Sequence, residues 1–305
     1  MKIIESVPNF STGRDPAVLA KILKPLQEQE GLRVLDYSSD LDHNRSVVTL
    51  MGDEEALLEG LFAAMQVATE LIDLRVHKGE HPRMGATDVV PFIPIKNASI
   101  EDCQNLAKRL AERVGSELKI PVYLYESSAT RAERQNLATV RKGQFEGFFE
   151  KIKDPDWYPD YGPHEVHPSA GCTAIGARLP LVAYNVNLDS SNLEVADAIA
   201  KKVRHIGGGL RYVKGMGVEL KDRGIVQVSM NLVNYHKSAI YQAFEMVKME
   251  ARRYGVNVIG SELIGLAPAE ALLAAAEYYL QLEDFKAEQV IENRLLEAPA
   301  EAGND

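Results

Sequence analysis

Twice along this chain, apolar runs fall in the order strand, helix, strand, strand, helix, strand. In the first pass, Lys2 to Pro8 reads as a strand closed by Asn9-Phe10-Ser11. A helix follows from about Asp15 to Glu30, with Pro16 in its first turn and Gly31 ending it. Leu32 to Tyr37 and Asn44 to Met51 read as strands, the second β-branched and alternating. Glu54 to Leu74 is an Ala- and Leu-rich helix, and Val89 to Ile95 is the closing strand. A helix from Ser99 to Leu118, a strand from Pro121 to Tyr125 and a long helical stretch from Leu137 to Lys153 extend this half. The second pass runs through a strand at Leu181 to Leu188 and a helix at Asn192 to Arg204, with Ser190 or Ser191 as its cap. Strands at Leu210 to Leu220 and Ile225 to Val233, a helix at Ser238 to Tyr254 and a strand at Val256 to Ile259 complete it.

That repeat predicts an α/β (α+β) protein made of two similar ferredoxin-like β-α-β-β-α-β subdomains with mixed sheets. A length of 305 residues also exceeds a usual single core. The boundaries expected are 1–178 and 179–297, with helices at Pro268 to Leu280 and Glu283 to Leu296 and a disordered tail over 298–305.

The densest polar stretch is Arg75 to Asp88, between the helix ending at Leu74 and the strand starting at Val89. It holds His77, Lys78, Gly79, His81, Pro82, Arg83, Gly85 and Asp88, titratable groups on a turn between two apolar elements. His77 and His81 have the spacing that puts two imidazoles on one helical face, as in a zinc pair. Gly79 between them and Pro82 after His81 work against a helix there. Acid/base chemistry fits better: one histidine poised near neutrality, with Lys78 and Arg83 placed to hold an anion. A solvated structural turn is the plainer alternative.

A net charge of −10 argues against nucleic acid and anionic membranes as partners, since basic patches supply most of that affinity. No apolar run approaches the roughly 20 residues of a membrane helix, and the first residues show no signal peptide. The two cysteines, Cys103 and Cys172, read as packing residues and imply a cytoplasmic setting. Gly207 to Gly209, Gly215 and Gly217 lie after a helix and inside a strand, the wrong place for a phosphate cradle. Gly215 and Gly217 suit a bulge or the close approach of a flat ligand. Asp154 to Cys172 carries prolines and aromatic residues with no period, too long and aromatic for a plain linker. It includes the second histidine pair, His164 and His167.

The run His77-Lys-Gly-Glu-His-Pro-Arg-Met-Gly-Ala-Thr-Asp-Val-Val-Pro-Phe-Ile-Pro94 resembles the signature of the glutamate formiminotransferase family. Val7 to Ser11, Asn44-Arg45, Asp156-Trp157, Pro159 to Pro163, Gly176-Ala177-Arg178 and Asn185 to Leu188 match that family as well. The resemblance spans roughly residues 2 to 285 and implies the stand-alone form, without the cyclodeaminase domain that some members carry. It implies transfer of a formimino group from N-formiminoglutamate to N5 of tetrahydrofolate, a co-substrate, in the crevice between the two subdomains. It implies no metal, a homodimer, and a place in histidine degradation and one-carbon metabolism. His81 matches the family's catalytic histidine, and Asn44, Arg45, Lys78, Arg83 and Asp88 are the substrate-binding candidates. The folate-binding candidates are Gly162, Pro163, His164, Glu165, Val166, His167, Pro168, Ser169, Ala170 and Gly171, with Arg178.

Both substrates are carboxylates, so an acidic chain needs local positive potential, for which Lys78, Arg83, Arg45, Arg178 and Lys214 are available. Asp36, Asp40 or Asp88 could orient the histidine. Three alternatives stay open on sequence: formyl transfer from N-formylglutamate; a metal-dependent hydrolase using His77, His81, Asp88 and His164 or His167; and a folate-binding protein without turnover.

Overall fold

The computed structural model describes residues 2–296, so the tail expected over 298–305 lies outside the described residues. The chain forms two compact units, Met1–Leu179 and Pro180–Asp305.

In the first unit the elements are β1 (Ile3–Ser6), β2 (Asn9–Phe10), α1 (Pro16–Glu28), β3 (Leu32–Asp40), β4 (Arg45–Gly52) and α2 (Glu54–Leu71). After them come β5 (Thr87–Lys96), α3 (Ile100–Glu117), β6 (Val122–Glu126), α4 (Leu137–Val140), α5 (Gln144–Lys151) and β7 (Thr173–Ala177). β1 and β2 behave as one interrupted strand, since both lie antiparallel between β4 and β5. β3 pairs β4 on one side, while β7 pairs β5 and β6 in parallel on the other. The first four strand positions therefore have the ferredoxin-like order, widened by two parallel strands.

Asp15 and Asp53 cap α1 and α2, and Ser99 with Asp102 forms a capping box on α3. The apolar stripes Leu19, Ile22, Leu26 on α1, Leu57, Leu61, Met65 on α2 and Leu106, Leu110, Val114 on α3 close over Ile4, Leu50 and Phe92 of the sheet. The other sheet face carries Arg45 and Asn9, which is how the fold delivers polar side chains to one side.

The second unit is β8 (Val182–Leu188), α6 (Leu193–Val203), β9 (Val213–Leu220), β10 (Ile225–Leu232), α7 (Ile240–Arg253) and β11 (Val258–Ile264). α8 (Ala269–Leu280) and α9 (Ile291–Leu296) follow. Its sheet order is β11-β8-β10-β9, antiparallel throughout, the ferredoxin-like order again. Order is what the two halves share.

Several expected elements differ. Leu137 to Lys153 is not one helix, because Gly143 and Gln144 are left-handed (φ 97° and 54°) and divide it into α4 and α5. Glu283 to Leu296 is not one helix either: Asp284 is left-handed (φ 53°), and a short 3-10 turn at Ala287–Gln289 precedes α9. β7, made largely of small residues, was not expected at all. The α6 cap is Asn192, whose side chain accepts from Glu194 N–H at 3.0 Å, with Ser190 supporting it from behind. Gly217 does not mark a bulge: a Cβ there would stand 2.7 Å from the Asp197 nitrogen, so the glycine lets α6 lie close to β9. The β9–β10 register is unbroken.

Candidate active site

The polar loop is laid on the β3–β4 turn and bolted there by Asn44. Its side-chain oxygen accepts from the N–H groups of Gly13 and Arg14 at 2.9 and 3.2 Å, and its amide donates to the Lys78 carbonyl at 3.0 Å. Asn44 itself is left-handed (φ 48°), a conformation that asparagine tolerates better than most residues. Glu80 N–H adds a bond to the Asp42 carbonyl at 3.1 Å. At Gly79 a Cβ would fall 2.2 Å from the His43 carbonyl oxygen, so only glycine allows this contact.

From the other side the loop is zipped to the expected folate segment. Ala86 N–H donates to the Ala170 carbonyl, Cys172 N–H to the Met84 carbonyl and Leu74 N–H to the Ser169 carbonyl, at 2.8, 2.9 and 2.8 Å. Gly85 stands against Gly171, and a Cβ on Gly85 would lie 2.0 Å from the Cys172 carbonyl oxygen. His167 turns this segment back on itself, its Nδ1 accepting from Ala170 N–H at 3.0 Å. Val166, Ala170 and Gly171 are buried, while Gly162, His164, Glu165 and Pro168 are exposed, His164 with its ring 4.2 Å from that of Tyr158.

The two loop histidines are different groups. His77 Nε2 lies 2.9 Å from the Asn44 carbonyl oxygen, so it carries the proton, and Arg83 Nε donates to Nδ1 at 3.3 Å. Burial lowers its pKa, and both nitrogens are committed to the loop. Arg83, 7% exposed, reaches Glu146 at 2.7 and 2.8 Å and Gln144 at 3.3 Å, so its cation fixes the loop to α5. Lys78 is exposed.

His81 sits in a charged cluster of its own. Arg45 Nη1 lies 3.0 Å from His81 Nδ1 and 2.9 Å from Asp88 Oδ2, and Arg45 Nη2 donates to the Asn9 side-chain oxygen. A guanidinium only donates. Nδ1 is therefore the imidazole's acceptor and Nε2 bears the hydrogen. Burial, followed by the charges of Arg45 and Arg141, takes the His81 pKa from its ordinary 6.5 to about 4. The ring is neutral at physiological pH.

Asp88 is fully buried, its Oδ1 accepting from Met84 N–H at 2.9 Å. Burial alone would raise its pKa, but Arg141 and Arg45 hold it below the usual carboxylate range. Of the three aspartates considered from sequence, Asp88 is the one in contact with the His81 cluster. Asp40 pairs with His43 at 2.9 Å, and Asp36 is exposed on β3. Arg178 lies at the end of β7, where its charge opposes the burial-raised pKa of Glu5; Lys214 is an exposed residue of β9.

Sequence reasoning missed Arg141, whose Nη2 stands 2.6 Å from Asp88 Oδ2. The turn carrying it is held by Lys151, whose ammonium donates to the carbonyls of Thr139, Val140 and Lys142 at 3.2, 2.6 and 3.2 Å and lies 3.7 Å from the centre of the Trp157 ring. Inside a stretch read as one continuous helix, Arg141 had no pattern to mark it. Arg134 was missed too. Buried at 2% exposure, it pairs with Asp160 at 2.7 Å and donates to the Asp156 and Tyr158 carbonyls, tying down the aromatic segment.

Among the described residues no three His, Cys, Asp or Glu side chains are grouped to hold a metal ion, nor is any helix long and apolar enough to cross a membrane. The arrangement offers a neutral imidazole beside two guanidinium groups that share one carboxylate, a site for proton transfer next to an anion.

Two family models match: residues 3–178 the N-terminal subdomain of the formiminotransferase domain, and residues 183–297 the formiminotransferase domain. The chain is 57% identical over 296 residues to the glutamate formimidoyltransferase of Streptococcus pyogenes serotype M1, covering 97% of this chain and 99% of that one. It is 45% identical over 300 residues to the glutamate formimidoyltransferase of Thermoplasma acidophilum, covering 98% and 99%. With the formimidoyltransferase-cyclodeaminase of Rattus norvegicus it shares 41% identity over 288 residues, 92% of this chain but 53% of that longer protein.

Proposed function

The chain belongs to the formiminotransferase family, and from that premise we propose that the cluster of His81, Arg45, Asp88 and Arg141 is where it works. The enzyme is a glutamate formimidoyltransferase, moving the formimino group of N-formimino-L-glutamate to N5 of tetrahydrofolate and leaving glutamate. The alternatives of formyl transfer, metal-dependent hydrolysis and folate binding without turnover have no comparable support.

N5 attacks the formimino carbon, forming the N5–C bond and a tetrahedral centre. His81 takes the N5 proton and returns it to the glutamate nitrogen as the old C–N bond breaks. The observation carrying this role is the neutral imidazole within the signature loop, since only an unprotonated ring can accept that proton. Its lone pair is at Nδ1, so proton uptake requires Arg45 to turn off that nitrogen while Asn9 and Asp88 keep hold of the guanidinium. Proton transfer of this kind contributes roughly 10²–10⁴-fold, and holding two substrates in register contributes the proximity effect.

Asn44 shapes the loop, Arg83 anchors it, and Lys78 is left facing solvent where it can meet an anionic substrate. The stretch from Gly162 to Gly171, with Arg178, is the folate contact in this proposal, its exposed members touching ligand and its buried ones pairing with the loop. The subdomains run 1–178 and 179–297. The chemistry uses no metal, and the enzyme acts in the cytoplasm as a homodimer, in histidine degradation.

The test offers tetrahydrofolate with formiminoglutamate, and separately with formylglutamate, to wild type and His81→Ala. Formimino transfer that falls by at least 10²-fold in the variant is expected. Turnover that is unchanged in His81→Ala removes the proposed base, and turnover of formylglutamate alone changes the donor.

A further inference from the structure

We infer that Arg141 is a binding residue for the α-carboxylate of the formimino donor, an inference that rests on the reaction proposed above. Arg45 and Arg141 bring two positive charges against the single carboxylate of Asp88, and the histidine beside them is neutral. Asp88 is engaged at both oxygens, Oδ1 accepting from Met84 N–H and Oδ2 shared by both guanidiniums, so its one negative charge faces two positive ones. Glu146, the other carboxylate of this loop system, is spent on Arg83. Arg45 has a hydrogen-bond partner on each terminal nitrogen, Nη1 donating to His81 and Asp88 and Nη2 to Asn9.

Arg141 does not. Its Nε is buried with no hydrogen-bond partner among the described residues, and its side chain is 13% exposed. A buried guanidinium with unused N–H groups is costly unless an acceptor arrives. The acceptor that matches its planar fork is a carboxylate. Lys151 fixes the turn, so the fork is held in place before the ligand binds and little ordering cost remains.

Chemistry selects which carboxylate. Arg141 belongs to the cluster that touches His81, so its ligand must lie close to the transferred carbon. In formiminoglutamate the α-carboxylate is separated from that carbon only by the nitrogen and the α-carbon. The γ-carboxylate lies two methylenes further out, and the carboxylates of tetrahydrofolate are at the far end of that molecule from N5.

The experiment compares three donors, formiminoglutamate, its α-amide and its γ-amide, with wild type, Arg141→Gln and Arg141→Lys. The expected result is that wild type prefers the acid over the α-amide by on the order of 10- to 100-fold in kcat/KM. In Arg141→Gln that ratio falls towards one and the acid/γ-amide ratio stays as in wild type; Arg141→Lys, which keeps the charge, retains part of the preference. Calorimetry with N-acetyl-L-glutamate and its α-amide reads the same discrimination without turnover. An unchanged acid/α-amide ratio in either variant, or a change confined to the γ-amide, overturns the inference while formimino transfer stands. Discrimination in binding with no turnover of formiminoglutamate by wild type leaves the carboxylate site standing and sinks the reaction. If Arg141→Gln fails to fold, Arg141→Lys and the wild-type binding pair decide.

Discussion

Arg45 donates from Nη1 to Nδ1 of His81 at 3.0 Å, which fixes the tautomer of the imidazole. Because the partner is a guanidinium, the ring must present a lone pair at Nδ1 and a hydrogen at Nε2. Nitrogen-15 NMR of the ligand-free protein at neutral pH should show His81 as the Nε2–H form. Arg45→Met should mix the tautomers and lower kcat by 10-fold or more, on the order of a lost charged hydrogen bond. An Nδ1–H signal in wild type would show that the contact is not formed in solution.

The same neighbours set a pH dependence. The His81 pKa is about 4 in the folded chain and 6.5 in an unfolded one, so between those values the unfolded chain holds a proton that the native chain lacks. The contribution of this group to stability is complete above 6.5 and declines as pH falls towards 4. Base activity should follow the folded value, with the His81 limb of kcat/KM near pH 4. Arg45→Gln should move that limb upward towards 6.5, by removing a positive charge. A wild-type His81 resonance titrating at 6.5 contradicts both statements.

Much of this was legible in the chain. Both β-α-β-β-α-β passes could be read because strand and helix periods change cleanly, and the signature loop stood out by polarity between two apolar runs. What could not be read depended on contacts distant in sequence. Asp36, Asp40 and Asp88 look alike until the sheet turns Asp88 inward beneath Arg45. His77 and His81 look like a pair until Asn44 claims one and Arg45 the other. Arg141 sits in a stretch broken by the left-handed Gly143 and Gln144; the poor helix propensity of Gly143 was the one local signal of that break, and it did not mark Arg141 as a partner of Asp88.

The zipper between the loop and the segment behind it rests on glycine. Gly85→Ala would push a Cβ to within 2.0 Å of the Cys172 carbonyl oxygen, and backbone cannot yield as a flexible side chain would. A loss of about 2–4 kcal/mol by denaturant unfolding is expected, from overpacking and broken ladder bonds together. Gly147→Ala, where a Cβ would meet nothing within 4 Å, is the control and should be neutral or slightly stabilising.

Arg134 and Asp160 form a buried pair that anchors the aromatic segment. Asp160→Asn leaves a guanidinium at 2% exposure without its counter-charge, which should cost about 3–5 kcal/mol. Arg134→Met with Asp160→Leu removes both charges and should recover much of that loss. Urea unfolding of the single and double variants checks this, and a double variant no better than the single would show that the carbonyl contacts to Asp156 and Tyr158 dominate.

Lys151 separates activity from stability. Burial lowers its pKa from 10.5 to about 8, although its ammonium holds three carbonyls of the turn that carries Arg141. Above pH 8 the amine becomes neutral and one N–H donor is lost, so the turn loosens and Arg141 is less firmly placed. Transfer activity should therefore decline above about 8. Folding stability should move the other way: between 8 and 10.5 the unfolded chain binds the proton more than the native one, so this group adds stability as pH rises. Lys151→Met should abolish this alkaline limb and narrow the donor's acid/α-amide preference, while leaving His81 titrating near 4. Rate profiles and thermal melts of both proteins from pH 7 to 10 read the two trends separately; an identical alkaline limb in Lys151→Met assigns it to another group.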